Sequence, residues 1–187
     1  MRLFVALEIP PAVRNNLATF LESLRAVTKK PRWVRADNLH VTLKFLGEVA
    51  EGKLEAVRTA LGEIHSGQAA TLDFRGLGFF PNEKHPRVFW ASIEASPNLK
   101  TLAGDIEFAM EKLGIPREQR EFSPHLTLTR FERARLPETL RKMIAENAQR
   151  DFGSLRTSQF RLIQSKLRPS GAEYTALTSF HFAPGVE

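Results

Sequence analysis

The chain has no cysteine, which excludes disulfides, thiolate metal sites and cysteine nucleophiles together. It has no run of 18 uninterrupted apolar residues, the length a membrane helix requires. Its apolar opening, MRLFVALEIPP, is too short for a signal peptide or a span, and Glu8 interrupts it. A cytoplasmic protein that does not enter a membrane is therefore the expectation. No Ser/Gly-rich linker or low-complexity stretch divides the 187 residues, so they read as one domain over 1–187. Acidic residues are the scarcer charged class, 21 against 27 Lys and Arg, leaving +6 and a pI near 10. That balance favours a polyanionic partner such as nucleic acid, although a solvated basic surface produces the same numbers.

What is present is ordinary for a soluble globular chain: 42% hydrophobic and 26% charged residues. The length suffices for one good core, or for two small lobes sharing one. Residues 2–9 alternate Leu3, Val5, Leu7 and Ile9 on one face, a strand that Pro10 and Pro11 end. A helix follows with Val13, Leu17, Phe20, Leu21 and Leu24 on one stripe. Strand 39–46, a helix carrying Leu54, Val57, Leu61 and Ile64, and strands 70–80 and 87–94 come next. The rhythm then repeats, with a helix over Leu99 to Leu113, strand 125–131, and a helix over Leu136 to Ile144. Two or three strands close the chain within 156–182. Strand–helix units in two similar halves imply an α+β fold of two pseudo-symmetric lobes.

The chemistry sits in a doubled pattern. NLHVTLKF at 38–45 and SPHLTLTR at 123–130 both read His–apolar–Thr–Leu, and their histidines are 85 positions apart (125 − 40). On a strand, residues i and i+2 share a face about 6.5–7 Å apart. Val41, Leu43 and Phe45 are thus expected to enter the core, leaving His40, Thr42 and Lys44 on the other face. Likewise Leu126 and Leu128 point inward, with His125, Thr127 and Thr129 opposite. Thr fills 12 of 187 positions, so two such pairs among five histidines arise by chance in roughly 4% of chains of this composition. Requiring the same flanks lowers that further.

Two histidines also suggest a metal, but a catalytic zinc site wants three protein ligands and Thr is not in the usual set. No HExxH is present, and His65, His85 and His181 fit surface or satisfied histidines better than a third ligand. Two imidazoles without a metal suit acid–base catalysis at a centre attacked on one side and departed from on the other. His titrates near pH 6.5, so one ring can be a neutral base while the other is a protonated acid. Phosphoryl transfer matches this, with attacking and leaving oxygens roughly in line, and Thr hydroxyls can donate to the non-bridging oxygens.

The residues HVTL at 40–43 and HLTL at 125–128 resemble the two-histidine phosphoesterase superfamily, and within it the bacterial RNA 2',3'-cyclic phosphodiesterases also described as 2'-5' RNA ligases. The likeness extends to MRLFVALEIP, to RWVRADNLHVTLKFLGEV at 32–49, to GLGFFPNEKHPRVFWASI at 76–93 and to LIQSKLRPSGAEYTAL at 162–177. It implies two lobes, each an antiparallel sheet with helices outside, facing across a central cleft lined by the motifs. It implies His40 as proton donor to a leaving 3'-oxygen, His125 as base activating water, and Thr42 and Thr127 as phosphate holders. No cofactor and no metal are implied. The substrate would be RNA with 2',3'-cyclic phosphate ends, tRNA fragments among the candidates. The product would be a 2'-phosphate, the reverse step would be 2'-5' ligation, and a monomer would suffice.

Arg130 is close enough to contact phosphate, but strict alternation puts it on the Leu face, so a twist or strand end must turn it. Lys44 could steer anions from the His40 face. Phe4, Phe79, Phe80 and Trp90 could offer a base-stacking surface, and Gly76 and Gly78 inside a strand suggest a bulge or a close approach to the other lobe. Two rival readings stay open. One is a non-catalytic RNA-binding protein; the other is the same chemistry on a small cyclic nucleotide or a 2'-5' oligonucleotide.

Overall fold

A computed structural model of the chain describes residues 1–28, 32–131, 136–169 and 171–185. Strand β1 (Arg2–Glu8) leads into helix α1 (Pro11–Val27), whose prolyl start costs no hydrogen bond because the first N–H groups of a helix have no intrahelical partner. Helix α1 buries Val13, Leu17, Phe20, Leu21 and Leu24, the stripe expected from their spacing. There follow β2 (His40–Glu48), α2 (Leu54–Gly62), β3 (Ala70–Phe80), β4 (Val88–Ala95), α3 (Pro97–Lys112) and β5 (His125–Arg130). The last elements are α4 (Glu138–Glu146), β6 (Asp151–Thr157), β7 (Gln159–Arg168) and β8 (Gly171–His181). Helix α2 stops before Ile64 and α4 begins after Leu136, yet both side chains are buried. Helical spacing finds these core positions although the helices do not reach them.

The eight strands form two antiparallel four-stranded sheets, ordered β2-β1-β7-β8 and β5-β4-β3-β6. The pseudo-symmetry is legible in the register. Glu8 and Ala6 of β1 stand opposite His40 and Thr42, while Ser92 and Trp90 of β4 stand opposite His125 and Thr127. The sheets do not divide the chain into its first and second halves. Strands β3 and β4 of the first half pair with β6 and β5, and β7 of the second half pairs with β1 and carries β8 with it.

This exchange gives the sheets a common core: Leu3, Val5 and Leu7 of β1 belong to the same buried cluster as Leu72 and Phe74 of β3 and Phe89 and Ala91 of β4. Helix α1 reaches the second sheet, where Asn16 Nδ2 donates to the Phe152 carbonyl at 3.0 Å and the Phe20 and Phe152 rings lie 5.5 Å apart. Among the described residues no helix is long and apolar enough to cross a membrane.

Candidate active site

Strands β2 and β5 are the edge strands of their sheets, and they touch one another. Each buries its leucines, Leu43 with Val41 on β2 and Leu126 with Leu128 on β5, so the opposite face carries His40 and Thr42 or His125 and Thr127. His125 is exposed, while His40, Thr42 and Thr127 are half-buried. The two rings are anchored alike. Nδ1 of His40 lies 3.0 Å from the carbonyl oxygen of Asn38, and Nδ1 of His125 lies 2.8 Å from that of Ser123. A carbonyl oxygen only accepts, so Nδ1 carries the proton and donates in both rings. Nε2 is left as the nitrogen that can take or give a proton. Neither Thr42 nor Thr127 spends its hydroxyl on a hydrogen bond among the described residues, unlike Thr129, whose Oγ1 donates to the Arg32 carbonyl at 2.7 Å.

The surroundings differ. His40 sits in an aromatic corner, its ring 5.5 Å from Tyr174 and 6.0 Å from Phe4, both edge-on. Burial pulls the His40 pKa below the ordinary imidazole value, because the cationic form loses its water. The Asn38 carbonyl opposes that shift, Arg14 adds to it, the Glu8 carboxylate opposes it, and Arg161 adds to it. His125 has Trp90 as neighbour, with centroids 5.3 Å apart. The Trp90 indole lies across Gly78 of the adjoining strand so closely that a Cβ there would fall 2.2 Å from Nε1. The close approach expected of Gly78 is therefore made to Trp90 within one sheet rather than to the other lobe. Gly76, at φ +87° beside a break in the β3–β4 register, supplies the expected bulge.

Strict alternation fails at two matching places. Ala6 pairs with Thr42 and Val5 with Lys44, so Leu43 is an extra residue; Trp90 pairs with Thr127 and Phe89 with Thr129, so Leu128 is extra. A bulge puts two successive side chains on one side and reverses the parity beyond it. Lys44 is consequently buried and Phe45 is 64% exposed, the opposite of the expected assignment. Thr129 likewise turns inward, at 0% exposure. Arg130 is exposed on the His125 face, so the bulge supplies the turn that strict alternation denied it.

Lys44 donates to Glu107 at 2.6 Å and to the Pro116 carbonyl at 2.9 Å, on the segment leading to β5. Thr129 reaches the carbonyl of Arg32, on the segment leading to β2. The residue after each bulge thus clasps the approach to the other motif strand.

A family model described as LigT like Phosphoesterase matches this chain twice, over residues 7–90 and 92–174. The chain belongs to the LigT-like phosphoesterase family. In both matches the motif histidine lies 33 residues after the start (40 − 7 and 125 − 92), so the family pattern itself repeats once per motif. Relatives of this phosphoesterase include the RNA 2',3'-cyclic phosphodiesterase of Archaeoglobus fulgidus, 36% identical over 96% of this chain and 99% of that protein. The enzyme of the same name from Methanothermobacter thermautotrophicus is 31% identical over 96% and 98%. Among solved structures, TT0787 of Thermus thermophilus superposes with a TM-score of 0.76 at 33% identity, covering 97% of this chain and 98% of that one. Escherichia coli LigT complexed with 3'-AMP gives 0.75 at 28%, covering 97% of each.

Of the aromatics singled out in the sequence, Phe80 is 43% exposed and lies 6.5 Å from Trp90. Phe79 instead stacks on core Phe89 at 5.0 Å, and Phe4 is buried beside His40. Sequence reasoning misses Tyr174, Arg14 and Arg161 around His40, the exposure of Phe45 beside Phe4, and Arg120, whose guanidinium lies 5.4 Å over the Phe80 ring. Phe45 could be found by counting, since it holds in the first motif the position that Arg130 holds in the second (130 − 45 is again 85). The others come from elements remote in sequence and leave no local signal.

Proposed function

We propose that this phosphoesterase hydrolyses 2',3'-cyclic phosphate ends of RNA to 2'-phosphates by acid–base catalysis between His40 and His125. One observation carries the reading: two imidazoles on adjoining edge strands, each with Nδ1 fixed on a carbonyl, and with neither Nε2 nor the neighbouring Thr hydroxyl hydrogen-bonded among the described residues. The names of the relatives, RNA 2',3'-cyclic phosphodiesterase, supply the substrate class.

Neutral His125 takes a proton from water as its oxygen bonds to phosphorus. The bond from phosphorus to O3' breaks on the opposite side, and protonated His40 gives its proton to that oxygen. Thr42, Thr127 and Arg130 hold the phosphoryl oxygens as charge builds there. With an RNA 5'-hydroxyl in place of water, the same course breaks the bond from phosphorus to O3' and makes a 2'-5' linkage. In this mechanism the two imidazoles make both proton transfers and no metal takes part. We read the enzyme as a cytoplasmic monomer of one two-lobed domain, with the cleft between the lobes as its site.

The test is regiochemical. His40→Ala and His125→Ala should each lower turnover roughly 10²–10⁴-fold on a substrate ending in a 2',3'-cyclic phosphate. Replacing O3' by sulfur gives a leaving group that needs little protonation. It should restore His40→Ala substantially and His125→Ala hardly at all. Rescue of the His125 variant instead would exchange the two roles, and full activity of His40→Ala on the oxygen substrate would refute the assignment.

A further inference from the structure

A groove with a volume of about 650 Å³ opens beside His40, lined by Glu8, Arg14, Arg156, Thr157, Ser158 and Arg161 among others. A second hollow of about 540 Å³ shares Arg156 and Gly185 with it, so the path continues away from the site. The groove begins next to the chemistry. Glu8 stands opposite His40 in the β1–β2 register, and Arg161 donates to Glu8 at 2.7 Å. Burial is the main cause of the lowered His40 pKa, and the charges of Arg14 and Arg161 act on the ring in the same direction.

The lining is unbalanced, with three guanidinium groups against one carboxylate. Among the described residues the Arg14 guanidinium donates only to the carbonyls of Asp37 and Ile9, at 3.2 and 3.4 Å. Arg156 is exposed, and its side chain has no hydrogen bond or ion pair among the described residues. Cations gathered in a channel repel one another until an anion occupies it, and the guanidinium fork matches phosphate oxygens in particular. A single anion would need one such fork. Three arginines spread along one groove, the outermost shared with the neighbouring hollow, fit a ligand whose charges repeat.

We infer that this arginine-lined groove is the track of the RNA chain itself, binding backbone phosphates on the 5' side of the reacting end. The inference rests on the proposed function, because it takes a 2',3'-cyclic phosphate end of RNA as the group held at His40 and His125. It divides the substrate in two. The terminal nucleotide is held by the motif residues, and the preceding nucleotides are held by charge, without reading sequence.

Two measurements separate this inference from the reading beneath it. Hydrolysis of a mononucleoside 2',3'-cyclic phosphate, which has no preceding phosphates, tests the reading alone. Binding of a fluorescent single-stranded oligonucleotide ending in a 2'-phosphate, followed by anisotropy across salt concentrations, tests the groove. Arg156→Glu should weaken oligonucleotide binding about tenfold and lower the slope of log affinity against log salt by about 0.7 for each phosphate no longer held. In hydrolysis, the same variant should lower the ratio of kcat/KM for an oligonucleotide to that for the mononucleotide by a similar factor. Arg156→Lys should recover most of both. Unchanged affinity and slope in Arg156→Glu would overturn the groove, as would an equal fall on both substrates. A protein that binds the oligonucleotide through Arg156 but hydrolyses neither substrate would keep the groove and sink the enzymatic reading. Binding only to duplex RNA would overturn the single-strand track.

Discussion

The histidine proposed as the proton donor is held where protonation is disfavoured. Burial beside Phe4 and Tyr174 keeps the His40 pKa below its ordinary 6.5 in the free protein. The proposed role then requires the substrate to help: a phosphodiester anion close to Nε2 favours the imidazolium and raises the pKa. His40 should therefore titrate below the ordinary value by NMR in the free protein and move upward when a nucleoside 2'-phosphate is added. A pKa indifferent to that ligand would remove His40 as the acid.

The same displacement bears on stability. Between the folded and ordinary values the unfolded chain binds the proton and the folded chain does not. Stability is thus full above the ordinary value, declines as pH falls through the interval, and levels off below the folded value. His40→Gln should lose less stability than the wild type between pH 7 and pH 5 in urea unfolding, and an equal loss would contradict the displacement.

At the scale of elements, one glycine and two bulges decide what the strands present. Gly78 lets the Trp90 indole lie across β3 and next to His125. Gly78→Ala puts a methyl where that ring is, in contact at 2.2 Å with Nε1. Overpacking of this kind typically costs about 1–3 kcal/mol. Urea unfolding should show that loss, and in a Trp33→Phe background the remaining indole emission should shift as Trp90 swings out. Wild-type stability with an unshifted spectrum would mean the ring is not held there. The bulges at Leu43 and Leu128 are invisible to alternation because an extra residue changes no local composition; it shows only in the partner strand's register. This is why the histidines and Thr42 and Thr127, which precede the bulges, lie on the faces that alternation assigns them, while Lys44, Phe45 and Thr129, which follow them, lie on the opposite ones. The same step turns Arg130 onto the His125 face.

For the whole molecule, the post-bulge residues join the lobes. Lys44 and Glu107 form an ion pair whose side chains are 2% and 16% exposed, so water screens it little. Removing one partner from such a pair leaves a buried charge unmatched and costs about 3 kcal/mol or more, whereas replacing both by apolar groups is often close to neutral. Lys44→Met should lower stability by that amount, and Lys44→Met with Glu107→Leu should recover most of it. With one core running through both sheets, near-ultraviolet and far-ultraviolet signals should be lost together in each variant. A double variant no more stable than the single one would show that the pair is not what Lys44 contributes.

While β6 (Asp151–Thr157) begins ahead of the 156–182 range expected for the closing strands, the sequence by itself determined the order of strands and helices up to α4, the burial of the apolar stripes, the doubled His–Thr pattern and the family it resembles. All of these follow from periods of two or 3.6 residues and from a spacing of 85, which are properties of neighbours along the chain. Tertiary structure alone decided that β3 and β7 exchange sheets, that Lys44 faces Glu107 rather than solvent, and that Arg14, Arg156 and Arg161 line one groove beside His40. Residues 14, 156 and 161 meet because β7 pairs with β1 while α1 packs on β6. Pairing between distant strands is set by how the whole core closes, and no local period records it.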